Sequence, residues 1–137
     1  VNRLPGIILA VASEGDISLV DVAVEENTLT AMLVETAETA PYLRAGNAVS
    51  VLFKETEVSL GKALSGRLSL RNRLQAEVVE MLKGELLAEV KLDCGGHRLV
   101  SIVTRRAAER LELAVGDRVE ALIKANEVML GESANDV

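Results

Sequence analysis

Aromatic side chains are almost missing from this chain of 137 residues: Tyr42 and Phe53 are the only two, and there is no tryptophan. A core must then be filled by Val, Leu, Ile and Ala, which suits compact β-structure whose layers approach closely. Cys94 is the single cysteine, so no intrachain disulfide can form, and a reducing compartment fits. No apolar run approaches the roughly 20 residues that span a bilayer, and the N-terminus lacks the basic-then-apolar layout of a signal peptide. A soluble, cytoplasmic protein without a membrane partner is the expectation. His97 is the sole histidine, and no grouping of nucleophile, base and orienting residue is visible, which argues against an enzyme. Positive charge is also short. The net charge of −6 argues against a nucleic-acid surface, which is normally basic overall.

What the chain does have is a repeat. A shift of 70 residues superposes Asn2-Arg3-Leu4 on Asn72-Arg73-Leu74, Leu29 on Leu99, and Leu43 on Leu113. The same shift places Gly46, Val49, Leu52 and Lys54 on Gly116, Val119, Leu122 and Lys124, and Leu60-Gly61 on Leu130-Gly131. One offset that recovers identities at both ends of the unit marks a tandem duplication. The expected organisation is a first repeat over 1–61, a linker over 62–68, a second repeat over 69–131 and a polar tail over 132–137.

Each repeat reads as five short strands with a helix between the third and fourth. In the second, strands are expected over 76–82, 86–92, 98–103, 118–124 and 127–130, with hairpin turns around Gly84 and at Asp93-Cys94-Gly95-Gly96. Thr104 stands as N-cap before a run of good helix formers from Arg105 to Leu111. The first repeat predicts strands over 7–12, 17–24, 29–34, 48–53 and 57–60, with a weaker helix over 36–43 that Pro41 limits. The fold class that follows is all-β with one short helix per repeat, arranged as two tandem OB-like five-stranded barrels, each closed by its own last strand.

The second repeat also carries the parts of an oxyanion site. A fully deprotonated tetrahedral dianion only accepts hydrogen bonds, so its site should offer hydroxyls, backbone N–H groups and cations. Ser69, Arg71 and Asn72 open the first strand of this repeat, Thr104 starts its helix and Lys124 ends a strand. Charge points to the second half as well. Residues 1–68 hold five Lys/Arg against nine Asp/Glu, a charge of −4, whereas 69–137 hold ten against twelve, a charge of −2.

Four segments taken together, Ser69–Leu74, Lys83–Val90, Ile102–Thr104 and Leu113–Ala125, resemble the Mop family of molybdate-binding proteins. The resemblance is close over 69–131 and looser over 2–61, so the chain looks like a di-Mop protein. It implies OB-like barrels assembled into symmetric homo-oligomers, trimeric for tandem members with a dimer as the alternative, that bind molybdate or tungstate between subunits. No organic cofactor and no metal cation are implied. The oxyanion contacts carried over are Ser69, Arg71 and Asn72 from one segment, with Thr104 and Lys124 from a neighbour. The implied function is intracellular molybdenum storage or homeostasis; the alternative is the ligand-sensing module of a molybdate-responsive regulator or transporter ATPase.

The departures matter. Ala107 stands where many members carry a second hydroxyl. In the first repeat Val34 replaces Thr104 and Glu35 replaces Arg105, while Lys54 survives as a secondary oxyanion contact in a hybrid site. A carboxylate beside a dianion is repulsive, so the first repeat is expected mainly to build the assembly. A pair of barrels that has lost its ligand is a third reading. Singly, Ser69 and Thr104 also read as turn and cap residues, Lys124 as a surface lysine, and Arg105, Arg106 and Arg110 as a solvated helix face. Cys94 and His97 have a two-ligand spacing but lack the further ligands a metal site needs. Gly61-Lys62 is no phosphate loop, because Ala63 occupies the Ser/Thr position.

Overall fold

The computed structural model describes residues 1–133. Two five-stranded antiparallel sheets make up the chain, in the orders β10-β4-β1-β2-β3 and β5-β9-β6-β7-β8. The first half supplies β1 (Asn2–Glu14), β2 (Ile17–Val24), β3 (Asn27–Leu33), β4 (Ala48–Phe53) and β5 (Ser59–Gly61). The second supplies β6 (Asn72–Lys83), β7 (Leu87–Cys94), β8 (His97–Thr104), α1 (Arg105–Arg110), β9 (Arg118–Ile123) and β10 (Met129–Glu132).

β1 and β6 are the long strands around which each sheet curls. β1 pairs with β4 over Asn2–Ile7 and with β2 over Ile7–Glu14. Its register slips between Ile8 and Ala10, and β6 slips between Val78 and Glu80. A bulge in the middle of a strand bends it and steepens its twist, which lets one strand serve two neighbours in a strongly curled sheet. Alternation is clean where the strand faces the core: Asn2, Leu4, Gly6 and Ile8 are buried and the residues between them are exposed.

The duplication extends to the core. Leu4 and Leu74, Val20 and Val90, Val22 and Leu92, and Leu29 and Leu99 all lie within 1 % of complete burial. Phe53, fully buried, takes the place that Ile123 fills in the other half, and Cys94 takes that of Val24. Cys94 is thus a core thiol; burial, with Asp93 and Glu25 nearby, pushes its pKa above the ordinary value.

Two expectations are corrected. Each barrel is not closed by its own last strand: β5, from the first repeat, pairs with β9, and β10, from the second, pairs with β4. The two halves therefore exchange closing strands, and Gly131 lies opposite Ser50 while Gly61 lies opposite Glu120. The first repeat also forms no helix over 36–43. The chain makes two separate turns there, with the Ala40 N–H donating to the Thr36 carbonyl at 2.7 Å and the Leu43 N–H to the Ala40 carbonyl at 3.0 Å, and the two do not join into a helix. Pro41 has no N–H to extend the ladder and disfavours helical backbone at Ala40.

Of the expected tail, Glu132 belongs to β10 and 134–137 lie outside the described residues. The segment 62–68 has no regular structure. It is tied down by Lys62, whose Nζ donates to the Glu112 carbonyl and pairs with Asp117, both at 2.9 Å.

Candidate oxyanion site

Asn72 and Ile123 are the terminal pair of the β6–β9 ladder. Arg71 and Lys124, the next residue of each strand, leave the sheet at the same corner, and Ser69 lies two residues further along. Lys124 holds extended backbone (φ −68°, ψ 143°) as it turns into the 3-10 turn Ala125–Glu127, which fixes where its side chain starts. Ser69, Arg71 and Lys124 are all exposed, and their side chains have no hydrogen bond or ion pair among the described residues. By contrast, Arg73 is neutralised two positions on: its Nε and Nη2 donate to the two Glu120 oxygens at 3.0 and 2.8 Å. The hydrogen bond from Arg73 holds the Glu120 carboxyl below the usual carboxylate range. The corner thus carries two uncommitted cations and a hydroxyl on a chain of net charge −6.

Asn72 is placed differently from its neighbours. It is fully buried, and its side-chain amide is committed: Nδ2 donates to the Thr30 carbonyl at 2.9 Å and Oδ1 accepts from the Thr30 N–H at 2.7 Å. What Asn72 can offer an anion at the corner is its backbone.

Thr104 caps α1 as expected, its Oγ1 accepting from the Ala107 N–H at 3.1 Å, so the hydroxyl hydrogen is left to donate elsewhere. It pairs with Leu87, at the end of the sheet where β6 runs out. Asn72 and Ile123 mark the opposite end of β6, so one chain does not bring Thr104 to the Lys124 corner. Instead Thr104 lines an open cleft of about 660 Å³ with Glu85, Leu86, Leu87, Arg105, Arg106 and Glu109. Arg105 is held there by Glu109 at 2.9 Å and the Gly84 carbonyl at 3.2 Å. Within one chain, Lys124 thus leaves the sheet at the corner where Arg71 does, and Thr104 lies toward the far end of β6.

The first repeat repeats the corner in outline. Lys54 is exposed at the head of the 3-10 turn Glu55–Glu57, beyond the pair Asn2–Phe53. At the place of Thr104 stands Val34, 83 % exposed and unable to donate. Two features had no clear signal in the sequence. The hairpin turns of the two halves meet where His97 Nε2 lies 2.7 Å from Glu25 Oε1, and the amide of Asn2 is committed to Val100 as that of Asn72 is to Thr30. The recurrence of asparagine at an offset of 70 was visible; its partner strand was not.

Fold and site define a class: a tandem OB-like β-protein with an anion-competent corner and no helix, among the described residues, long and apolar enough to cross a membrane. Residues 68–130 match the TOBE domain. The molybdenum-pterin-binding protein MopB of Rhodobacter capsulatus is 37% identical over 108 residues, which is 77% of this chain but 40% of MopB, so the chain spans about two fifths of that relative. Molybdenum-pterin-binding protein 1 of Clostridium pasteurianum is 38% identical over 64 residues, 46% of this chain and 94% of that protein. The crystal structure of the cytoplasmic molybdate-binding protein ModG with molybdate bound superposes with a TM-score of 0.91 at 34% identity, covering 96% of each chain. The chain belongs to the Mop family of molybdate-binding proteins, as a member with two tandem repeats.

Proposed function

We propose that this chain is a cytoplasmic binding protein for molybdate or tungstate that serves molybdenum storage or homeostasis, with no catalytic role. The oxyanion sits between copies of the chain in a homo-oligomer, a trimer by preference. One copy contributes Ser69, Arg71, the backbone of Asn72 and Lys124; a second contributes Thr104. Lys54 is a weaker, secondary contact. The sequence repeats run over 1–61 and 69–131, joined by 62–68, and each lends its last strand to the other.

The observation that carries this reading is the separation within one chain of the Ser69–Lys124 corner from Thr104. Both groups are exposed, yet they lie at opposite ends of β6, so a second copy is needed to unite them around one anion. The donor set suits a dianion without protons. Hydrogen phosphate would present an O–H to a set made of cations and donors, with only the hydroxyl oxygens to accept it, whereas molybdate and tungstate accept from every side. The structural relative ModG, with molybdate bound, supports the ligand class.

Titration calorimetry with molybdate, tungstate, sulfate and phosphate, beside the mass by light scattering, tests the reading. Saturable molybdate binding to an oligomer without competition from phosphate is expected. An oligomer that takes up no oxyanion would overturn it.

A further inference from the structure

We infer that Asn72 and Asn2 are positioning residues: each stitches the free edge of the opposite repeat's third strand, and Asn72 thereby holds the Ser69–Arg71 donors without its side chain touching the oxyanion. The positioning role rests on the proposed oxyanion reading of the Ser69–Lys124 corner.

β3 and β8 are edge strands in their sheets. Thr30 lies opposite Asp21 in the β2–β3 ladder, and its N–H and C=O both turn outward to the Asn72 amide at 2.7 and 2.9 Å. Val100 does the same in the other half, with the Asn2 amide at 2.8 Å on both atoms. Thr30 and Val100 are themselves 70 residues apart, so donor and acceptor pairs obey one internal two-fold relation. A side-chain amide is the group this geometry requires. It presents one donor and one acceptor side by side, as a neighbouring strand's peptide would. Aspartate would set a carboxylate against the Thr30 carbonyl, and leucine would leave a buried N–H and C=O without partners.

The stitch reaches both groups of the proposed site. Arg71 follows Asn72 directly as the chain leaves β6, so the donor segment is anchored on Thr30 of the first repeat. Thr104 lies four residues after Val100, so its end of β8 is anchored on Asn2. The first repeat, which carries Val34 where the hydroxyl would be, is thus needed to place the donors of the second.

Amide hydrogen exchange on the full chain, read by NMR beside molybdate titration, tests this. In the unaltered protein the Thr30 and Val100 amides should exchange at least 100-fold more slowly than outward-facing amides of an unstitched edge. Asn72→Ala should free the Thr30 amide and lower molybdate affinity at least tenfold, and Asn2→Ala should free Val100. Thr30→Pro removes the N–H that faces Asn72, at an edge position where proline is tolerated, together with the hydroxyl that donates to Asp21 Oδ1 at 2.8 Å. Thr30→Val removes that hydroxyl alone, so Thr30→Pro should lower affinity from across the repeat boundary and Thr30→Val should not. Fast exchange at Thr30 in the unaltered chain would overturn the stitch. Affinity lost in Asn72→Ala but kept in Thr30→Pro would make Asn72 a direct ligand and overturn the positioning role. A chain that binds no oxyanion while both amides stay slow would overturn the oxyanion reading, and the positioning role with it, but leave the stitch established.

Discussion

Removing the last strand should damage the first half of the protein. A chain ended after Val128 lacks β10, which pairs with β4 at four positions from Met129–Leu52 to Glu132–Val49. An antiparallel ladder of this length carries about four backbone hydrogen bonds at about 1 kcal/mol each, and partly buried Leu130 adds about 1 kcal/mol. The shortened chain no longer bears the backbone entropy of ordering the four β10 residues, about 1 kcal/mol each at the low end, so a net loss of about 1 kcal/mol is expected. For a chain of this size that lowers the melting temperature by about 3–5 °C. The location is more telling than the magnitude. Hydrogen exchange should quicken along β4 (48–53), which becomes an edge, and at Tyr42, whose hydroxyl donates to the Leu130 carbonyl at 3.3 Å. The β9 amides that face β5 should stay protected. Loss of protection in β9 with β4 unchanged would show that β10 closes its own repeat, and would refute the strand exchange.

Further outcomes are expected. Gly6→Ala would bring its Cβ to 2.5 Å from Val22 Cγ1, with the Ala23 carbonyl at 3.2 Å behind it; Val22 is stiff at χ1, so a loss of about 1–3 kcal/mol should appear in chemical denaturation. The hydrogen bond from Lys62 holds the Asp117 carboxyl below its ordinary value, so this contribution is present above the unfolded carboxylate pKa and is lost as pH falls through the folded one. Melting curves at successive pH values should therefore decline less steeply in acid for Lys62→Met than for the unaltered chain. Lys124→Ala, which removes a charge-assisted bond worth about 1.5–3 kcal/mol, should weaken molybdate binding about 10- to 100-fold, and Lys54→Ala should do less, as titration would show. Burial keeps the Cys94 thiol protonated, so alkylation at mildly alkaline pH should be slow until denaturant is added.

How much of this was legible in the sequence depends on the range of each interaction. The duplication was, because core positions such as Leu29 and Leu99 must match when two halves share one fold. The helix after Thr104 was, because its hydroxyl cap and the run Arg105–Arg110 are local signals. The same reading failed over 36–43, where Val34 and Glu35 supply no cap hydroxyl and Pro41 breaks the segment into two separate turns. The strand exchange was hidden by symmetry: Leu60-Gly61 and Leu130-Gly131 are near copies, so nothing in either says which barrel it closes. The role of Asn72 was hidden for another reason. Its partners are the backbone atoms of Thr30, 42 residues away, and a backbone partner leaves no mark on the residue type. That Arg71 and Lys124 leave the sheet at one corner follows from the ladder that ends at Asn72 and Ile123, a register that the repeat alone does not specify.

The central claim, that one oxyanion is shared between the Ser69–Lys124 corner of one copy and Thr104 of another, is tested most directly by anomalous diffraction from crystals grown with tungstate. The account predicts a tungsten peak between two chains, within hydrogen-bonding reach of Ser69 and Lys124 on one side and Thr104 on the other. A peak held by residues of a single chain, or one at the Lys54 corner with the Lys124 corner empty, would contradict it.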